Sequence, residues 1–407
     1  MNLALSDEQV LLREAARGAL SRFKTLEDAR EALDSGGEVP DLWPTAKEAG
    51  WPGLLIDEAH GGAGLDVFDA MLVLSECGRV LAAIPLLGHL PATAILDDSP
   101  TAGGPLLGAL ASGERRAAYL PARPGDDLSA QWTADPAHGM ERAPLPNAVR
   151  DGDGARVSGQ FAFVPDAPGA DVLVGVALLA ETGMLVERGM LAGGECLPAS
   201  VTGECLPASV DGKPVGFAVE SSAAGVSVEA VRRYDATRLL GHVTLKDAPA
   251  TLLDAPEESL AAAWHLGQAL IAAESLGAVE TALETSVAYA KERYTFGRAI
   301  GSYQAVKHSL TEVLRQLENG RSLLYYAGWS RHGAPAEFPL AASAARSVAG
   351  RALDHAARTM ISVHGGIGAT WEHDAPLYFR RAQLSRRLLG GTALATDKVA
   401  GELITQA

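Results

Sequence analysis

Between Tyr289 and Gln304 the chain reads Tyr-Ala-Lys-Glu-Arg-Tyr-Thr-Phe-Gly-Arg-Ala-Ile-Gly-Ser-Tyr-Gln. Arg293, Thr295, Phe296 and Gln304 therefore crowd one short stretch. A guanidinium beside a hydroxyl and exposed backbone amides suits a diphosphate, because its planar fork matches paired phosphate oxygens. Spacing alone favours a plainer reading, a surface turn carrying an incidental arginine. Metal chemistry finds less support: Cys196 and Cys205 lack the close Cys or His partners a zinc site requires.

Two helices must frame this stretch. The proline-free run Ser259 to Ala290 reads as one helix, and Thr295-Phe296-Gly297 supplies the residues that end it near Arg293. A second helical run, Val306 to Arg331, follows within a few residues. Two more, Leu340 to His364 and roughly Leu377 to Leu389, complete four long runs after Glu257, for which a helical bundle is the natural packing. Val363-His364-Gly365-Gly366-Ile367-Gly368 ends the third run with glycines that serve as a C-cap and also let a ligand approach the backbone.

The N-terminal third is also helical. Ser6-Asp7-Glu8-Gln9 reads as a capping box before Val10 to Phe23. Trp43-Pro44-Thr45 opens another helix, and the glycine-rich Asp57 to Leu65 precedes Val67 to Leu81. Those glycines do not form a dinucleotide fingerprint, since no β-branched strand leads into the required spacing. A loop holding two helices apart is the simpler role. Ala102 to Ser112 is the last helix of this third.

From Tyr119 the texture changes. Short apolar runs at Ala155 to Val164, Asp171 to Leu179, Gly216 to Glu220, Gly225 to Val231 and His242 to Leu245 alternate with turn residues, implying a β domain. Within it Gly194-Glu-Cys-Leu-Pro-Ala-Ser-Val201 recurs as Gly203 to Val210. Two copies are too few for a solenoid and read as a tandem duplication in a surface loop. The fold class is α+β, with an all-α region 1–119, a β region 120–250 and a helical bundle 251–407.

A chain of 407 residues with a formal charge of −16 is large enough for several cores and too acidic for a general nucleic-acid binder. An anionic ligand must then be held by a local cluster of arginines or lysines. Three cysteines suit a reducing compartment. The first residues lack a basic n-region and an apolar h-region, and no apolar run is long enough to span a bilayer. The expectation is a soluble, cytoplasmic protein with no membrane contact.

The order of helical, β and helical regions resembles the acyl-CoA dehydrogenase family over essentially the whole chain. The residues carrying the resemblance are Glu58-Ala59-His60-Gly61-Gly62-Ala63-Gly64-Leu65, Glu76-Cys77-Gly78-Arg79, Arg293 to Arg298, Tyr303-Gln304 and His364 to Gly368. It implies a β-barrel-like central domain and a C-terminal four-helix bundle. It also implies FAD as cofactor, an acyl-CoA thioester as substrate and an electron-transferring flavoprotein as acceptor. By resemblance Arg293, Thr295, Phe296 and Gln304 contact the FAD diphosphate and adenosine, often of a neighbouring subunit. His364, Gly365 and Gly366 lie against the same dinucleotide, and Ser362 stands where the family places a glutamine.

The family's reaction needs a desolvated carboxylate to remove the α-proton of the thioester. Leu389 or Gly390 fills the position of the usual glutamate, and the alternative register on the long helix falls at Gly267, flanked by His265, Leu266 and Gln268. The loop that lines the flavin ring is reduced to Ala134-Asp135-Pro136, and a second lining segment becomes Phe163-Val164-Pro165. Pro165 there removes a hydroxyl donor and a backbone N–H. Phe163 to Ala167 and Leu388 to Gly391 are similar to the base-lacking partner of actinobacterial α2β2 acyl-CoA dehydrogenases, some of which shorten sterol side chains. The leading expectation is such a FAD-sharing subunit, paired with a paralogous subunit that supplies the glutamate. The alternatives are a homo-oligomeric enzyme with an unusual base, Glu274 or Glu372, and a non-enzymatic scaffold. Glu274 reads first as a buried partner for a bundle arginine, Glu372 as a structural acceptor and His265 as a neutral core histidine.

Overall fold

A computed structural model describes residues 4–121, 133–134, 142–143, 146–152, 154–179, 213–232 and 234–405. The duplicated segment Gly194 to Val210, and Asp135-Pro136, lie outside the described residues.

Six helices open the chain: α1 (Asp7–Leu20), α2 (Thr25–Ser35), α3 (Trp43–Glu48), α4 (Val67–Arg79), α5 (Leu86–Asp97) and α6 (Gly104–Ala111). The capping box is present, with Gln9 N donating to Ser6 Oγ at 3.2 Å and Ser6 N to Gln9 Oε1 at 3.1 Å. Helices α2 and α5 go beyond the sequence expectation. Pro91 lies inside α5, a residue that argues against a helix interior, yet the helix is buried on nearly every face. The glycine loop before α4 folds back on the chain ahead of it, Ala63 N bonding Gly53 O at 2.8 Å and Leu65 N bonding Leu54 O at 2.8 Å.

The strands are β1 (Ala117–Leu120), β2 (Thr133–Ala134), β3 (Arg142–Ala143), β4 (Asn147–Asp151), β5 (Gly154–Pro165), β6 (Val172–Leu179), β7 (Lys213–Glu220), β8 (Val226–Ala230) and β9 (Leu240–Leu253). Pairings β6–β4, β4–β5, β5–β9, β9–β7 and β7–β6 form a closed ring. The sheet is thus barrel-like, and its interior is filled by Val157, Phe161, Leu173, Phe217 and Val243 among others. Strand β1 joins β6 in parallel on the same edge as β4, and its Ala118 and Leu120 add to the barrel interior.

Helix α7 (Glu257–Glu292) runs 36 residues and leads into a hairpin of β10 (Tyr294–Thr295) and β11 (Arg298–Ala299). Then come α8 (Gln304–Gly333), α9 (Phe338–His364), α10 (Ala375–Ser385) and α11 (Gly391–Thr405). The last expected run, Leu377 to Leu389, is corrected here: α10 stops at Ser385, and a separate helix, α11, follows. The break is the sequence Leu389-Gly390-Gly391, whose φ values of 49°, 76° and 73° are all left-handed. The C-terminal region therefore adds a fifth helix to the four expected.

Helices α4 and α7 cross at backbone contact. A Cβ on Gly78 would stand 1.9 Å from Glu274 O, and one on Gly277 would stand 1.9 Å from Ser75 O. No side chain fits at either position. This reciprocal glycine contact accounts for Gly78 in the Glu-Cys-Gly-Arg motif and lets the N-terminal helices share one continuous core with the C-terminal bundle.

Candidate functional site

The hairpin β10–β11 stands on the surface at the end of α7. Arg293, Thr295 and Phe296 are exposed, as is Gln304, the first residue of α8. Arg293 has no carboxylate partner among the described residues, leaving its guanidinium available. The glycine loop after α9 shares this corner through ring contacts. His364 is buried, its centroid 4.3 Å from that of Tyr289 and 4.2 Å from that of His373. Tyr289 stands four residues before Arg293. The structure therefore brings the two predicted segments together.

His364 Nδ1 lies 2.8 Å from Met360 O, which fixes the ring against α9. Ser362, Gly365 and Gly366 are exposed. A Cβ on Gly365 or Gly366 would meet no atom within 4 Å, so the backbone here is an open face. An exposed arginine, a hydroxyl and an accessible glycine backbone suit the phosphates and adenosine of a dinucleotide.

The segment expected beside the flavin ring is arranged differently. Phe163 has φ 56° and its amide donates to His242 Nδ1 at 3.3 Å. The amide of Asp166 donates to Leu239 O at 3.0 Å. Pro165 has no amide hydrogen to offer. Backbone donors at both ends of this segment are thus engaged within the chain. The corner at Arg293 thus offers groups that suit a dinucleotide's phosphates, whereas the Phe163 to Asp166 segment offers few free backbone donors.

The two positions at which the family resemblance seeks a base face each other. Leu389 Cδ1 lies 2.8 Å from where a Cβ on Gly267 would stand, and Pro91 Cγ lies 3.9 Å from the same point. Leu389 is 6% exposed. A Cβ on Gly390 would strike Leu394 Cδ2 at 2.3 Å and approach the ring of Trp264. Gln268 Nε2 reaches Leu389 O at 3.4 Å. An apolar plug from α5, α7 and the left-handed turn occupies the space, with no ionisable group at either register.

Glu274 sits two turns further along α7 in a buried ionic junction. It is clasped by Arg238, which precedes β9, and by Arg381 of α10. Arg381 Nε also donates to Asp235 Oδ2 at 3.0 Å, and Arg381 Nη2 donates to Thr237 O at 2.7 Å. Burial alone would raise the pKa of Glu274, but Arg238 and Arg381 outweigh it and hold the carboxyl below its ordinary value. A carboxylate so stabilised is a poor proton acceptor. Glu372 is exposed and accepts no hydrogen bond among the described residues. His265 is buried with Nδ1 unpartnered, and burial pushes its pKa down to about 3, so it is neutral.

Sequence reasoning found Glu274 and its bundle arginine but missed Arg238, Asp235, Arg346 and Asp166. Arg346, fully buried in α9, donates to Ser385 O and to Leu388 O, the latter at 3.3 Å, and so anchors the turn that carries Leu389. Asp166 accepts from Gly88 N at 2.7 Å and so caps α5 from the barrel. Asp166, Thr237, Arg238 and Glu274 share a water-sized cavity at the meeting point of the three regions. Nothing in the local pattern marks these residues, because their partners lie far away in sequence.

Residues 6–122 match the family description "Acyl-CoA dehydrogenase, N-terminal domain", and residues 260–404 match "Acyl-CoA dehydrogenase, C-terminal domain". The chain is 29% identical to the acyl-CoA dehydrogenase IpdE2 of Mycolicibacterium smegmatis, over 95% of this chain and 96% of that one. Among solved structures it is similar to a variant of the Tcur3481-Tcur3483 steroid ACAD, with TM-score 0.79, 28% identity and 98% of each chain covered. The ChsE4-ChsE5 complex from Mycobacterium tuberculosis shares the fold at TM-score 0.79, with 24% identity and 99% of each chain covered. No group of metal-ligating side chains occurs among the described residues, and no described helix is long and apolar enough to cross a membrane.

Proposed function

The chain belongs to the acyl-CoA dehydrogenase family of FAD-dependent oxidoreductases, and within it we propose that it is the cofactor-holding, base-lacking subunit of a heteromeric enzyme. One observation carries this reading. At the two registers that could hold the base stand Leu389 and Gly267, which pack against each other and carry no group able to take a proton. The only carboxylate nearby on α7, Glu274, is committed to Arg238 and Arg381.

In this reading Arg293, Thr295, Phe296 and Gln304, with His364, Gly365, Gly366 and Ser362, hold the diphosphate and adenosine of FAD at a subunit boundary. When bound, FAD supplies the hydride acceptor for α,β-dehydrogenation of an acyl-CoA. Arg293 neutralises phosphate charge, and the glycines allow close backbone approach. A paralogous subunit brings the glutamate, and an electron-transferring flavoprotein reoxidises the complex. The names of the similar structures support pairing: one is a steroid ACAD designated by two proteins, the other a complex of two. The steroid designation of the first also favours a steroid-derived acyl group over a simple fatty one.

Co-expression with a paralogous acyl-CoA dehydrogenase subunit that carries the glutamate, followed by native mass and flavin content, tests the proposal. One FAD per pair of subunits is expected. One FAD for every copy of this chain, purified without a partner and turning over acyl-CoA, would refute it.

A further inference from the structure

The hairpin that carries Phe296 is built more firmly than an exposed loop requires. Phe296 and Gly297 have φ of 52° and 77°, both left-handed. Two left-handed residues in succession match the favoured two-residue hairpin turn. Glycine suits the second place, but an aromatic residue at the first is strained. The ring is also 93% exposed, so folding alone gains little from it. Strain and exposure together in one aromatic side chain point to a tip shaped for contact with something outside the chain.

One residue braces both strands behind that tip. Tyr303 Oη donates to Thr295 O of β10 at 2.9 Å. The guanidinium of Arg298, on β11, lies 4.0 Å from the centroid of the Tyr303 ring. Below them Ile300 N donates to Arg293 O at 2.7 Å and closes the base of the hairpin. Gly301 passes so near α7 that a Cβ there would stand 2.9 Å from Ala290 O. The β10 backbone is thus held by a hydroxyl and β11 by a cation over a ring, both from Tyr303.

We propose that Tyr303 is a positioning residue: it preforms the hairpin so that Arg293, Thr295 and Phe296 meet the dinucleotide in a fixed geometry. A preformed hairpin avoids the entropy of ordering a loop on binding. This inference rests on the cofactor-holding reading above and adds to it the device that sets the corner's shape.

Two measurements on Tyr303→Phe and Tyr303→Ala test it. The first is amide hydrogen exchange of the hairpin in the unliganded chain, followed at Ile300. The second is FAD affinity of the complex with its partner subunit, with Arg293→Ala as a comparison. Tyr303→Phe keeps the ring under Arg298 and loses one hydrogen bond, so exchange should quicken and FAD weaken by about fivefold. Tyr303→Ala should do more, about tenfold or beyond, with the melting temperature of the unliganded chain unchanged because the brace is on the surface. Unaltered exchange in Tyr303→Ala overturns the inference. So does faster exchange with unaltered FAD affinity while Arg293→Ala still weakens FAD; the cofactor-holding reading then survives. If neither Arg293→Ala nor Tyr303→Ala changes FAD affinity, the cofactor-holding reading falls and the inference with it.

Discussion

Leu389 takes the space that a side chain on Gly267 would need, its Cδ1 lying 2.8 Å from that glycine's missing Cβ. The two residues are 122 positions apart in the chain and meet between α5, α7 and the turn before α11. Each makes sense only with the other. A leucine in a left-handed conformation is strained, and a glycine inside a long helix is unfavourable by about 1 kcal/mol relative to alanine.

The pair should therefore be energetically coupled. Leu389→Ala is expected to cost about 2–5 kcal/mol by opening a cavity. Gly267→Ala should destabilise the native chain, because Leu389 must shift to admit the new methyl. In the Leu389→Ala background the same change should be neutral or stabilising. Denaturant unfolding of the four variants measures the coupling, and strict additivity would show that the two residues do not share a space.

Glu274→Gln separates a structural carboxylate from a catalytic one. Removing its charge leaves Arg238 and Arg381 buried with one fewer counter-charge, a loss of about 3–5 kcal/mol. Melting temperature should fall markedly. Turnover per bound flavin in the folded complex should stay within about twofold of the native value, well short of what a lost base costs. Unchanged stability with abolished turnover would make Glu274 the base.

Asp166 makes stability depend on pH in an unusual direction. Burial is the main cause that pushes its carboxyl from 3.8 up to about 7, against the opposing hydrogen bond from Gly88. Below pH 3.8 the group is protonated in both folded and unfolded chains and contributes no difference. Between 3.8 and 7 the folded chain holds the proton more tightly, so the contribution falls as pH rises. Above pH 7 the folded chain must bury a carboxylate. Asp166→Asn should then be more stable than the native chain at pH 8, by up to about 4 kcal/mol. The two should converge toward pH 4. Thermal or chemical unfolding at both pH values checks the sign.

His89 gives the opposite slope. Ala117 N donates to its Nδ1 at 3.1 Å, and its Nε2 lies 3.2 Å from Pro52 O, so the neutral ring ties the N-terminal helices to β1. Burial pushes its pKa from 6.5 down to about 4. The unfolded chain takes up a proton below pH 6.5 that the folded chain refuses, so this stabilisation is lost as pH falls from 6.5 through 4. Heteronuclear NMR of the ring should show no titration between pH 8 and 5. A midpoint near 6.5 would mean that the ring is not enclosed.

Much of this arrangement was legible in the sequence where the signal was local. The Ser6–Gln9 capping box, the end of α7 at Arg293 and the glycines after His364 are short-range patterns, and the structure has them in place. Helix α5 was missed because Pro91 lies within it, and its burial overrides the weak local propensity. Helix α11 was missed because Gly390-Gly391 reads as an end, although here it is a hinge between two helices. The meeting of Leu389 with Gly267, and of Glu274 with Arg238, could not be seen: each joins segments whose approach is set by the α4–α7 crossing and by closure of the barrel. Motif order along the chain identified the family. What fills the chamber between α5 and α7 needed three-dimensional packing.

The central claim is that this chain holds cofactor for a site whose base lies elsewhere. It is tested most directly by incubating the isolated chain with excess FAD, removing free flavin, and adding acyl-CoA with an artificial electron acceptor. The account predicts little retained flavin, no bleaching of what remains and no turnover, with activity appearing once the paralogous subunit is added. Stoichiometric flavin that bleaches on acyl-CoA addition to the isolated chain would contradict it.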